Sequence, residues 1–101
     1  MSVRVVIADD DAPYRGAIAE LLSLEPSFEL AGSFASAREL LDRLGPAATP
    51  PWDLVLMDIE MPGTDGIAAT EQLKARFPDL HVVMLTSFEE PDRIVRAIQA
   101  G

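Results

Sequence analysis

The sequence predicts an α/β fold built on a doubly wound parallel sheet. Short β-branched apolar runs alternate with helix-period segments along all 101 residues, in the order βαβαβαβα. The runs at 54–57 and 80–85 are apolar without alternation, as expected of parallel strands covered on both faces. Two of the runs, 3–8 and 52–57, stop abruptly at aspartate.

Val3 to Ala8 reads as strand one. Residues 12 to 24 read as helix one, with Tyr14, Ala17, Ile18, Leu21 and Leu22 on one face. Pro13 sits in its first turn, where a missing N–H is harmless, and Pro26 ends the pattern. Phe28 to Ser33 reads as strand two. Ser36-Ala37-Arg38-Glu39 matches a capping box opening helix two, whose apolar side is Leu40, Leu41 and Leu44. Gly45 to Pro51 is a Pro/Ala-rich surface loop.

Trp52 to Met57 reads as strand three. The loop Ile59 to Asp65 leads to helix three at about 65–76, with Ile67, Leu73 and Phe77 facing inward and Asp65 as its N-cap. Leu80 to Leu85 reads as strand four. Pro91 opens helix four, whose stripe is Ile94, Val95 and Ile98, and Gly101 suits a C-cap. A flavodoxin-like strand order, 2-1-3-4, brings the carboxyl ends of strands one and three to the switch point, where open α/β sheets bind ligands. On the same reasoning helix one takes one face and helices two to four the other, which leaves the first face under-covered and strand four an open edge.

Seventeen acidic side chains against eight basic ones give a net charge of −9. That balance argues against direct nucleic-acid contact and against anionic membranes, and it favours cations and basic partners. The opening apolar run is too short for a signal peptide or a membrane span. The chain has no cysteine, which excludes disulfides and thiolate metal sites and is compatible with a reducing cytoplasm.

Asp9, Asp10 and Asp11 follow strand one, and Asp58 follows strand three with Glu60 two residues on. The expected topology gathers these carboxylates at one sheet edge, where they need a raised pKa or a neutralising cation. Oxygen donors without His or Cys suit Mg²⁺ (or Mn²⁺). Taken singly, each has a simpler reading: the triplet as a solvated loop with a helix N-cap, Asp58 as a turn residue, Glu60 as a solvated side chain. Thr86, at the end of strand four, could donate to a phosphoryl oxygen on Asp58 or satisfy a local backbone group. His81 lies at the far end of strand four and reads as structural or solvated. Trp52 lies about 20 Å from Asp58 along the strand, too far for its emission to report on an ion there.

Three stretches carry a resemblance. Val6-Ile7-Ala8-Asp9-Asp10, the block Val55 to Gly66 around Asp58, and Val82-Val83-Met84-Leu85-Thr86-Ser87 together resemble the receiver domain of bacterial two-component response regulators, over essentially the whole chain. The wording from Leu85 to Glu90 and the ending Ala97-Ile98-Gln99-Ala100-Gly101 resemble regulators with a LuxR-type helix-turn-helix output. The resemblance implies a flavodoxin-like (CheY-like) fold, strand order 2-1-3-4(-5), in a cytoplasmic protein. It implies that Asp58 accepts a phosphoryl group from a sensor histidine kinase. Asp10, Asp58 and the Glu60 carbonyl would hold Mg²⁺, Asp9 would act partly through water, and Thr86 would bind the phosphoryl group and move with it. Such a domain carries out phosphotransfer and autodephosphorylation without being a turnover enzyme.

One departure stands out. The family has a fifth strand and helix, with a phosphoryl-pairing lysine, after this point. The single lysine here, Lys74, lies in helix three and does not match. Residues 1–101 are therefore expected to be a receiver domain cut short at its C-terminal end, marginal alone and prone to form a homodimer or strand-exchanged oligomer. Two other functions remain open: a pseudo-receiver acting only as a protein-interaction module, and a Mg²⁺-dependent phosphohydrolase working through an aspartyl-phosphate.

Overall fold

In a computed structural model, described over residues 2–46, 49–59, 66–85 and 90–100, β1 (Val3–Ala8) is the strand around which the sheet is built. It pairs in parallel with β2 (Phe28–Phe34) on one side and with β3 (Leu54–Asp58) on the other, and β3 pairs in parallel with β4 (His81–Leu85). The order is β2-β1-β3-β4, as expected. The helices are α1 (Ala12–Ser23), α2 (Ala37–Leu44), α3 (Gly66–Arg76) and α4 (Pro91–Ala100). None of the described helices is long and apolar enough to cross a membrane.

The pleat explains the unbroken apolar runs. Along β1, Val5 and Ile7 point to one face while Val6 and Ala8 point to the other, and all four are fully buried. Along β3, Leu54 and Leu56 alternate in the same way with Val55 and Met57. Two separate cores result. One packs Val6, Ala8, Val55 and Met57 under Leu40, Leu44, Ala69 and Leu73. The other packs Val5, Ile7, Leu54, Leu56 and Leu85 under Ile18, Leu22, Ile94 and Val95.

That second core corrects the expected distribution of helices. Helix α4 lies beside α1, so the face expected to be under-covered is covered. The apolar stripe of α4 suits either face of the sheet, and here it lies on the face that α1 leaves open. Its stripe of Ile94, Val95 and Ile98 packs into the core that also holds Val83 and Leu85. Ile67, expected to face inward, is 51% exposed on α3, whose packed side is Gly66, Ala69 and Leu73. Met84 is 39% exposed on the outer strand.

Local devices set the element ends. Ser36 caps α2 by accepting from the Glu39 amide at 3.1 Å, while the Glu39 carboxylate accepts from the Ala35 amide at 2.8 Å. Gly45 ends α2 at φ 57°, a left-handed conformation that costs glycine little. Strand β2 runs one residue beyond the expected Ser33 and carries a bulge at Ala31, since Val5 pairs with Leu30 but Val6 with Gly32. The Phe34 ring lies back over Gly32, where an added Cβ would meet it at 3.0 Å, and reaches Trp52 at a centroid distance of 5.9 Å. Trp52 itself precedes β3 rather than opening it. The ladder starts after Asp53, whose amide and carboxylate clasp the Arg4 backbone at 2.8 Å each. Lys74 donates to the Pro78 and Leu80 carbonyls, both at 2.8 Å, and so ties off the end of α3.

Candidate metal centre

The carboxyl ends of β1 and β3 lie side by side in the sheet, with Ala8 opposite Met57. The next residues on each strand are therefore Asp9 and Asp58, and both are buried to 2% exposure. Asp58 is the last residue of β3 rather than the first residue after it. Asp10 follows on the β1–α1 connection and is exposed. One carboxylate oxygen from each of Asp9, Asp10 and Asp58 lies within 4.8 Å of the others. Side chains from two stretches roughly fifty positions apart thus meet at one point.

The set fits a small hard cation. Three carboxylate oxygens this close could be shared by one small ion with bonds of about 2.1 Å, water supplying the rest of its shell. An all-carboxylate set without nitrogen or sulfur selects Mg²⁺ or Mn²⁺ over softer metals. The electrostatics agree. Burial pushes the Asp9 carboxyl up from 3.8 to about 6, with charge on Asp58, Asp10 and Asp11 adding to the effect, and a hydrogen bond from the Asp11 amide opposes it. That bond is 2.8 Å long. Asp11 itself is the N-cap of α1, accepting from the Tyr14 amide at 3.2 Å, so the third acid of the triplet has a structural duty.

Gly66 brings α3 against this edge. A Cβ at that position would collide with the Asp58 carbonyl oxygen, so glycine alone permits the approach. Glu60, Asp65 and Thr86 lie outside the described residues, as does Gly101. His81 is exposed at the opposite end of the sheet, paired with Leu54 in the ladder. Arg15 was not singled out from the sequence. From α1 its Nη1 donates to the Asp9 carbonyl and its Nε to Ser33 Oγ at 3.1 Å.

Residues 5–101 match the family model described as the response regulator receiver domain. The chain belongs to the response regulator receiver family. Across its full length this receiver chain is 38% identical to the response regulator protein VraR of Staphylococcus aureus, of which it covers 47%. It therefore spans about half the length of the curated relatives it matches. A CheY-like response regulator receiver domain protein from Methanospirillum hungatei is 25% identical, with a TM-score of 0.74 over all of this chain and 77% of that one. The RcsB response regulator of Salmonella typhimurium superposes with a TM-score of 0.83 over 98% of this chain and 60% of its own. At 22% identity that likeness speaks for the fold alone.

Proposed function

We propose that this receiver chain is a phosphoacceptor switch, taking a phosphoryl group onto Asp58 from a histidine kinase with a divalent cation bound. The observation that carries the reading is the convergence of Asp9, Asp10 and Asp58 at the carboxyl edge of β1 and β3. Asp58 is the acceptor in this reading because the end of β3 holds its carboxylate beside those of Asp9 and Asp10. A carboxylate oxygen attacks phosphorus in line, a P–O bond forms, and the P–N bond to the donor imidazole breaks. The imidazole leaves with the electron pair and is neutralised by a proton.

Asp10 and Asp58 hold Mg²⁺ or Mn²⁺ in this reading, joined by the Glu60 carbonyl, with Asp9 contributing partly through water. The bound cation offsets charge on the nucleophile and on the phosphoryl oxygens. Asp9 has a second duty: its buried carboxyl must give up its proton before the cluster can accept a dication. Thr86 receives the phosphoryl oxygens and moves with them, which biases the surface near α4. The output is transcriptional, through a LuxR-type helix-turn-helix elsewhere in the protein. A homodimer carries that signal, in a cytoplasmic setting.

Incubation with Mg²⁺ and acetyl phosphate, followed by intact-mass measurement, tests the reading. A Mg²⁺-dependent gain of one phosphoryl group, abolished by Asp58→Asn, is the expected result. Labelling that survives Asp58→Asn sinks the acceptor. Phosphate release in many turnovers without an adduct would point to a hydrolase, and complete indifference to Mg²⁺ to an interaction module.

A further inference from the structure

The three acidic side chains of the cluster are not held alike. Asp58 is fixed by the β3 ladder, where it pairs with Leu85 of β4. Asp9 is buried, its amide donates to the Phe34 carbonyl at 3.0 Å, and its carboxylate takes the Asp11 amide. Asp10 is exposed, and among the described residues no hydrogen bond to its side chain is found. The fold can therefore steer that carboxylate only through its backbone. The peptide plane that delivers that backbone begins at the Asp9 carbonyl.

The guanidinium of Arg15 grips that carbonyl through Nη1 and reaches Ser33 Oγ on β2 through Nε. The Arg15 amide also closes the first turn of α1 on the Asp11 carbonyl at 3.0 Å. One rigid planar group thus ties the β1–α1 connection, α1 and β2 together, using donors in a fixed fork. We propose that Arg15 is a positioning residue for the cation site: it orients the Asp9–Asp10 peptide so that the Asp10 carboxylate meets those of Asp9 and Asp58. The inference rests on the cation-binding reading above.

Two effects of Arg15 on a dication have opposite signs, and that makes the role measurable. Its positive charge beside the cluster repels Mg²⁺, so removal of charge alone tightens binding. Its grip on the loop preassembles the ligands, so removal of the grip weakens binding, on the scale of other outer-shell contacts.

Mg²⁺ is titrated calorimetrically into the unphosphorylated chain and its Arg15→Met, Arg15→Lys and Ser33→Ala variants, beside the melting temperature of each without metal. The expected result is binding about tenfold weaker in Arg15→Met, with smaller losses in Arg15→Lys and Ser33→Ala, which keep part of the grip. Equal or tighter binding in Arg15→Met overturns the inference. So does a lowered melting temperature with unchanged Mg²⁺ affinity, which would make Arg15 a plain structural contact. If Arg15→Met does not fold, unchanged affinity in both Arg15→Lys and Ser33→Ala overturns it equally. Failure of the wild-type chain to bind Mg²⁺ would instead remove the cation reading itself.

Discussion

At Asp9, burial and three neighbouring carboxylates act in one direction and a single backbone amide acts in the other. The folded-state value of about 6 lies above the unfolded 3.8, so between these limits the folded chain binds more protons than the unfolded one. The stabilisation from this group is complete below 3.8 and is lost as pH rises through 6, a swing on the order of 3 kcal/mol. The melting temperature of the metal-free chain should therefore fall across this interval, and Asp9→Asn should flatten that fall. Mg²⁺ must displace the same proton, so its affinity should weaken progressively below about pH 6, as a calorimetric pH series would show. The three acids were legible in the sequence because each follows a buried apolar run, and carboxylates at such places rarely stay isolated. Arg15 was not. A basic residue in the first turns of a helix reads as solvated, and its acceptors here are a main-chain carbonyl and a serine eighteen positions away.

Strands were easier to place than the packing of the last helix. The pleat turns two-sided burial into continuous apolar stretches, so β1 and β3 announced themselves, and the flavodoxin-like order placed them side by side; β4 reads the same way in sequence, yet only Leu85 of it is buried. Trp52 misled at the start of β3, because a large apolar residue extends an apolar run whether or not its backbone joins the ladder. Ile67 misled on α3, because Gly66 and Ala69 leave so little bulk that the helix lies close to the sheet on its small residues. The side of α4 was not legible, since its stripe fits either face equally well. The capping box of α2 was legible, as caps are local chemistry. Ser36→Ala should destabilise the chain by about 1 kcal/mol, seen as an earlier urea midpoint with unchanged slope.

For the whole molecule, the sheet splits 32 × 32 × 19 Å of protein into two cores that share only the backbone of the strands between them. Among the described residues β4 is bonded on one side alone, and Met84 on it is exposed. An unpaired strand with an exposed apolar side chain invites another chain. The 101-residue chain should self-associate at high concentration in light scattering, and Met84→Lys should shift it toward monomer. A strictly monomeric wild type would refute this. Because the Phe34 ring lies back over Gly32, the one indole of the chain touches a residue whose carbonyl holds the Asp9 amide. Trp52 is thus an optical gauge wired to the tip of β2 rather than to the ion, and any change in emission on loading would arrive by way of the tilted Phe34 ring.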